Sequence, residues 1–338
     1  MMKRRDFFRT VMAAGAGASV LNPLFALAEE LQEFKAPPMP DQPVTKVTDR
    51  CYYILAKDPE PNPENHGFFS NPGIIITQKG VVVLETGSSV QIGEMVLRQI
   101  RKLTDKPVVA VINTHYHGDH WLGNHAFVQA YPDVPIYGHP AMMQKIKDGE
   151  GKFWFDFFQR LTDNAITGTV ITPPNRTLKG GETLNFGDVT LKIHHYQNPD
   201  YDNKVHTESD LMVEVVEDKV IYSGDVAMRR IANASDGSFR GTIDAMQQWI
   251  RAFDGHTIIP GHGPHDGVAL FKDHLTFFKT IWDDVAKYYE EGLADFEMKP
   301  KIMEEPFMKN VASKWPGYNS TLGKFIAVAV QEYENAML

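Results

Sequence analysis

Within Val111-Ile112-Asn113-Thr114-His115-Tyr116-His117-Gly118-Asp119-His120, three imidazoles and one carboxylate fill four of six positions directly behind an apolar run. Imidazole nitrogen and carboxylate oxygen are the donors that divalent transition metals take. Such density points to a metalloenzyme, since a polar turn of satisfied histidines has no need of it. On an extended segment His115 and His117 project to the same side. Asp119 and His120, entering a helix, project together toward a second point about 3.5 to 4 Å from the first, the separation of two-metal sites. One short segment therefore starts two sites.

Those residues need a strand behind them and a helix in front. Residues 108–112 read as a buried strand and 121–130 as a helix, which places His115 to His120 in the turn at the strand's carboxyl end, where open α/β sheets carry their chemistry. Further strands are expected at 51–55, 73–77 and 81–85, with a helix over 89–103. A second half follows, with strands at 183–186, 189–195, 211–216, 219–222 and 257–259 and helices at 242–251 and 267–291. Two strand-rich halves with outer helices make an α/β protein.

The pattern His-x-His-x-Asp-His resembles the signature of the metallo-β-lactamase superfamily. The resemblance, which runs from about Tyr52 to Gly263, implies a four-layer αβ/βα sandwich with metals on the shared edge. It also implies that the ligand set is completed downstream at strand ends. His206, ahead of the apolar alternation 211–216, matches the third motif; Asp225, in Ser223-Gly224-Asp225, matches the fourth; His262, in Pro260-Gly261-His262-Gly263, matches the fifth. By this resemblance one zinc ion takes His115, His117 and His206, a second takes Asp119, His120 and His262, and Asp225 bridges them. An aspartate in the fourth motif is similar to hydroxyacylglutathione hydrolases and related thioester, ester and phosphodiester hydrolases, whereas some true β-lactamases carry cysteine there. A hard oxygen bridge also admits iron or manganese. The chain departs from the family at Glu85, where the first motif usually ends in Asp. Glu85 is expected to brace the ligand loop from behind, as are His125, His195 and His265 beside the ligand motifs.

The implied function is a metal-dependent hydrolase in which a hydroxide held between two metals, oriented by Asp119 as catalytic base, attacks an ester, thioester or related acyl bond of a small molecule. Exported zinc hydrolases associated with sulfur oxidation and quinoprotein pathways are similar in layout. Rival readings are a β-lactam hydrolase, a mononuclear-iron persulfide dioxygenase, which keeps fewer ligands, and a non-catalytic periplasmic metal-binding accessory protein.

The amino end reads as an address. Lys3-Arg4-Arg5-Asp6-Phe7-Phe8-Arg9 resembles a twin-arginine signal, and Phe25-Ala26-Leu27-Ala28 offers a small-x-small cleavage site, so residues 1–28 are expected to be removed after Ala28 and the protein to be periplasmic. Its partner in that step is the twin-arginine export machinery. The apolar stretch is too short and too broken by glycine and Pro23 to span a membrane comfortably, which leaves no stable span in the mature chain. Residues 29–44, with four prolines, read as an extended leader, 45–266 as the catalytic domain and 267–338 as a helical extension. The formal charge is −9, and loss of residues 1–28, with four cations and one carboxylate, makes it three units more negative. Nucleic acid is therefore excluded as a partner.

Cys51 is the single cysteine and precludes an intrachain disulfide; at a strand start it is packed, not reactive. Residues 58–71 read either as a loop over the metals or as a buried aromatic turn. Phe153, Trp154, Phe155, Phe157 and Phe158 are expected to fill core or to join copies in a homo-oligomer, ahead of the alternatives of a pocket wall or a membrane-surface contact, and 197–205 to form part of the pocket rim.

Overall fold

A computed structural model describes residues 35–231 and 234–337. The twin-arginine motif, its cleavage site and the first residues of the leader lie outside them. Residues Ala36–Leu338 form one compact unit.

Seven strands make the first sheet: β1 (Val44–Lys46), β2 (Cys51–Ile54), β3 (Gly73–Thr77), β4 (Gly80–Leu84), β5 (Val108–Ile112), β6 (Ile136–Gly138) and β7 (Arg176–Thr177), in that spatial order. Five make the second: β8 (Thr183–Asn185), β9 (Thr190–His195), β10 (Leu211–Val215), β11 (Val220–Gly224) and β12 (Thr257–Pro260), ordered β12-β11-β10-β9-β8. Pairing is antiparallel from β1 to β4 and parallel from β4 to β7, and in the second sheet only β11 and β12 run parallel.

The runs Ile74-Ile75 and Val81-Val82-Val83-Leu84 explain why both faces of the first sheet are covered, because successive side chains point to opposite faces. Ile75, Val82, Leu84 and Ile112 enter the core shared with Leu191, Ile193, Val213 and Tyr222 of the second sheet. Ile74, Val83 and Val111 face the other way, toward Ile92, Met95, Val96 and Ile100 of α1 (Val90–Leu103), whose first turn is capped by Ser89 accepting from Ile92 N–H. The leader joins this layer: Met39 is buried in it, and Asp41 pairs with Arg98 and Lys102 of α1.

The helix expected over 121–130 is two pieces, α2 (Gly118–Trp121) and α3 (Asn124–Ala130). The break has a hydrogen-bond cause. Thr86 N–H takes the His120 carbonyl at 2.9 Å and Gly123 N–H goes to the Gly87 carbonyl at 2.8 Å, so the helical ladder is exchanged for bonds to the loop after β4. Three more helices follow: α4 (Pro140–Lys145), α5 (Gly151–Leu161) and α6 (Phe239–Ala252). The carboxyl end supplies α7 (Ala269–Glu290), α8 (Asp295–Ile302), α9 (Pro306–Val311) and α10 (Tyr318–Met337). Leu270 and Phe271 of α7 pack with α6 against the second sheet, while its Phe277, Ile281 and Val285 pack with Met298, Met308, Leu322 and Ile326. That one helix therefore serves both the sandwich and the carboxyl-terminal bundle. The order of layers, helix, sheet, sheet, helix, is the expected αβ/βα sandwich with a helical carboxyl-terminal region. Among the described residues no helix is long and apolar enough to cross a membrane.

Candidate metal centre and active site

Asn113 to His120 are held in place before their side chains are considered. Glu85 is the key. It follows β4 at a backbone φ of 57°, a left-handed conformation uncommon for a residue with a Cβ. That turn sends its carboxylate under the loop, where Oε1 accepts from Thr114 N–H at 3.1 Å and Oε2 lies 3.5 Å from His120 Nδ1. Asn113 Nδ2 donates to the His120 carbonyl, Asn124 Nδ2 donates to Asn113 Oδ1, and Trp121 Nε1 donates to the Tyr116 carbonyl. The backbone and amide groups of that chain are satisfied by neighbours, which fixes the loop, while His120 Nδ1 has only the charge of Glu85 beside it.

The second sheet brings the other residues to the same edge. His206 sits in a turn closed on Asp210, whose buried carboxylate accepts from the backbone N–H groups of His206 and Thr207 and from the Thr207 hydroxyl. Asp225 and His262 leave the ends of β11 and β12, joined by Gly261 N–H to the Gly224 carbonyl at 2.8 Å. Glycine is required at 261, since a Cβ there would stand 2.1 Å from Asp225 Oδ1.

The structure brings all seven expected ligand residues together. His115, His117 and His206 form one group of close donor atoms, Asp119, His120 and His262 a second, and Asp225 joins His115 and His120 in a third. His117 Nδ1 lies 2.9 Å from His206 Nε2, and Asp119 Oδ2 lies 3.2 Å from both His120 Nε2 and His262 Nε2. Asp225 faces both groups, 3.6 Å from His206 Nε2 and 3.2 Å from His262 Nε2. His115 Nε2, Asp119 Oδ2, His120 Nε2 and Asp225 Oδ1 are buried without a hydrogen-bond partner. Orphaned donors converging in this way are costly unless a cation takes them, so the residues fit metal ions.

Charge divides the cluster. Burial holds the His115 imidazole neutral and pushes His206 down to about 3. Burial opposes ionisation of Asp119 and Asp225 as well, but the neighbouring His120 and His262 outweigh it and keep both carboxylates well below the ordinary range. His120 is correspondingly raised, burial being overcome by Asp119, Asp225 and Glu85.

Three expected bracing residues are turned elsewhere. His125 Nδ1 takes Val170 N–H, His195 Nδ1 donates to the Asp210 carbonyl, and His265 Nδ1 meets the Tyr53 hydroxyl. Closeness in sequence to a motif did not carry them to it: His125, in the first turn of α3, reaches the backbone of Val170, and His195 stacks on His139 and holds the Asp210 carbonyl. Residues that do touch the ligands were missed. Asp236 Oδ2 is 3.2 Å from His117 Nε2, the Phe69 carbonyl accepts from His262 Nδ1 at 2.6 Å, and the Ser70 hydroxyl donates to the Asp119 carbonyl. Asp210, four residues after His206, had a readable signal in the Thr-x-x-Asp spacing of a self-closing turn; Asp236 and the Phe69 carbonyl had none.

A cleft of about 520 Å³ opens over the cluster. Its walls are aromatic and aliphatic: Phe69, Trp154, Phe157, Phe158 and Leu161 on one side, Ile231 and then Phe325 and Val328 of α10 on the other. The aromatic run on α5 is divided. Trp154, Phe157 and Phe158 wall the cleft, with Trp154 4.9 Å from the His117 ring. Phe158 is also buried in a core cluster against which Phe155 packs, as expected of core residues, and Phe153 is exposed. Residues 58–71 do both things expected of them, since Phe68 is in the core while Glu60, Pro61 and Phe69 line the cleft. Residues 197–204 do not line it. Tyr196 and Asn198 bond instead to Asp244 of α6, and the rim includes Arg230, Ile231, Ala234 and Ser235. Cys51 is buried, and burial pushes its thiol up to about 12, as suits a packing residue.

Arg230 and Lys324 are the cations on the cleft lining, and Arg230 is the one beside the metal-ligand cluster. Its Nη1 lies 2.9 Å from His262 Nδ1, but that nitrogen already donates its proton to Phe69 and has no lone pair to give. Its Nε is buried with no partner, and among the described residues no carboxylate pairs with the guanidinium.

A sequence profile of the Metallo-beta-lactamase superfamily matches residues 66–262. The linear primary-alkylsulfatase of Pseudomonas sp. (strain ATCC 19151) is 31% identical over 309 residues, covering 77% of this chain and 55% of that protein. The chain thus spans about half the length of that relative. The fold is similar to that of the stereoselective inverting sec-alkylsulfatase Pisa1 from Pseudomonas sp., with a TM-score of 0.65 at 16% identity over 86% of this chain and 50% of the other. It is also similar to the metallo-beta-lactamase from Pontibacter korlensis, with a TM-score of 0.54 at 20% identity over 70% of this chain and 98% of the other.

Proposed function

This chain belongs to the metallo-β-lactamase superfamily and is one of its metal-dependent hydrolases, and on that premise we propose that it holds two divalent ions and hydrolyses an amphiphilic ester with an anionic head, a sulfate ester of an apolar alcohol. The carrying observation is Arg230, beside the metal-ligand cluster and without a carboxylate in ion-pair contact among the described residues, in a cleft lined mainly by apolar side chains with Glu60 and Lys324 farther along its lining. An unpaired guanidinium there is costly unless the substrate supplies the anion, and a planar fork suits an oxyanion. The likeness to an alkylsulfatase supports the same head group.

His115, His117 and His206 would hold one ion and Asp119, His120 and His262 the other, with Asp225 between them; zinc suits the imidazoles, and iron or manganese is admitted by the carboxylates. Bound there, such ions supply Lewis acidity and bring the pKa of a water to about 7. Asp119 takes the proton of the attacking water on the oxygen not turned to His120 and His262. Arg230 binds the ester's charged oxygens and offsets the charge that grows on them. Trp154, Phe157 and Phe325 seat the apolar chain and exclude bulk water. Water is added across the ester bond, giving the alcohol and the acid anion.

The test is a panel of decyl sulfate, a neutral decanoyl ester, a thioester, a β-lactam and a phosphodiester with zinc-loaded protein, alongside elemental analysis. The expected result is near two ions per chain, decyl sulfate preferred at least tenfold over the neutral ester, and reversible loss of turnover on chelation. Arg230→Gln should lower kcat/KM for the sulfate by about 100-fold, the size of a lost charged hydrogen bond, and barely alter the neutral ester. Preference for the acyl ester or thioester, unmoved by Arg230→Gln, would return the substrate to the acyl class. Full activity with a single ion would remove the dinuclear mechanism.

A further inference from the structure

A second cavity of about 570 Å³ lies behind the active-site cleft and shares Phe69, Arg230 and His262 with it. We propose that this cavity is a subsite for a second apolar arm of the substrate, so that the enzyme accepts esters whose charged head sits within a chain as well as at its end.

The space is concave, open at one side and lined largely by apolar side chains, the character of a ligand pocket. Its lining sets the chemistry of the occupant. Leu55, Pro264, Phe307, Val311 and Trp315 are apolar, Lys57 and Asp58 are exposed, and apart from Arg230, shared with the cleft, the buried and half-buried charged groups are engaged. Arg229 is paired with Asp266 at 2.6 Å and Asp273 at 2.8 Å, and Lys314 Nζ donates to Asn310 Oδ1 at 2.6 Å. An apolar occupant breaks none of these bonds and leaves Arg230 to the charged head.

Arg230 connects the two spaces. Its guanidinium stands 5.9 Å from the centre of the Phe69 ring, which in turn stacks on His262 at 5.5 Å. The wall between cleft and cavity is therefore one layer of side chains, and a head group held at Arg230 lies at the border of both. From there one arm has the aromatic cleft and the other has the cavity floored by α9 and Trp315.

This inference rests on the anionic-ester reading, and the experiment separates the two. Decan-1-yl sulfate and decan-5-yl sulfate, equal in carbon number, are compared in the wild type, in Asn310→Trp and Leu55→Trp, which fill the cavity from its mouth and its β2 side, and in Val328→Trp, which narrows the cleft. Thermal melts confirm folding. Wild-type kcat/KM for the two isomers should agree within about threefold. Asn310→Trp and Leu55→Trp should each lower the ratio of internal to terminal ester at least tenfold, while Val328→Trp lowers both substrates together. In parallel, 1-octanol binding is titrated by calorimetry; a saturable site lost in Asn310→Trp and kept in Val328→Trp is expected. An unchanged isomer ratio in both cavity variants, or octanol binding indifferent to Asn310→Trp, overturns the subsite. Absence of turnover on either sulfate with the octanol result intact overturns the sulfate reading and leaves the apolar subsite standing.

Discussion

Asp225 concentrates the chemistry because it faces both groups of imidazoles: Oδ2 lies 3.6 Å from His206 Nε2 and 3.2 Å from His262 Nε2, and Oδ1 lies 3.5 Å from His120 Nε2. Replacement by alanine leaves buried imidazoles without their carboxylate. Asp225→Ala is expected to lower occupancy of at least one metal position and to cut turnover by several orders of magnitude. Asp225→Cys should keep zinc while disfavouring iron and manganese, because thiolate is a competent zinc ligand and a poor match for harder ions. Metal content and turnover of the three proteins on one substrate decide the matter: both metals and near-wild-type rates in Asp225→Ala would mean that the carboxylate bridges nothing. Glu85 acts one step back, through Thr114 N–H and His120 Nδ1. Glu85→Gln retains size but weakens that acceptor, so metal affinity should fall about 10- to 100-fold, the usual effect of losing an outer partner. A competition titration with a coloured chelator reads this directly, and unchanged affinity would make Glu85 an ordinary core residue.

At the scale of elements, the site depends on where one helix stops. Had 121–130 run on from Gly118 as a single helix, the His120 carbonyl would be bound within it and Thr86 N–H left without its partner. The break at Gly123 instead ties the ligand turn to the loop after β4. Gly123 permits the approach, since a Cβ there would meet the Thr86 carbonyl oxygen at 2.1 Å. Gly123→Ala should therefore cost about 1–3 kcal/mol of stability, the range for overpacking a tight interior, and should weaken metal binding because His120 shifts with α2. Denaturant unfolding together with a metal titration checks both. A variant as stable as wild type would show that the β4 loop gives way freely.

For the molecule as a whole, the carboxyl-terminal helices matter as walls. Phe325 and Val328 of α10 close one side of the cleft, and Phe307 and Val311 of α9 help enclose the cavity behind it. The two spaces thus exist only because the bundle packs on the sandwich through α7. The address at the other end of the chain is a separate matter: we propose export through the twin-arginine route to the periplasm. Arg4→Lys combined with Arg5→Lys should leave uncleaved precursor in the cytoplasm with the catalytic body folded, as fractionation and activity would reveal. Normal periplasmic accumulation of the double variant would discard the route.

The donor types, their pairing on one turn and the strand behind them were legible in the chain because they are local. His115 to His120 lie within six residues, and the alternation and apolar runs of β3, β4, β5 and β10 follow from a period of two. The downstream partners His206, Asp225 and His262 were legible through the resemblance to the family's motifs, Asp225 and His262 at strand ends and His206 in the turn ahead of β10. What surrounds them was not. Asp236, the Phe69 carbonyl and Arg230 reach the ligands from segments with no periodic or spacing signal, and His125, His195 and His265, though near the motifs in sequence, bond elsewhere. The split of α2 from α3 was hidden because it comes from hydrogen bonds to a loop more than thirty residues away. The aromatic run of α5 is readable as apolar, but whether it faces core, partner or cleft depends on what packs opposite. Local pattern names the residues able to bind metal; long-range packing decides which uncharged and charged groups wall the space where a substrate lies.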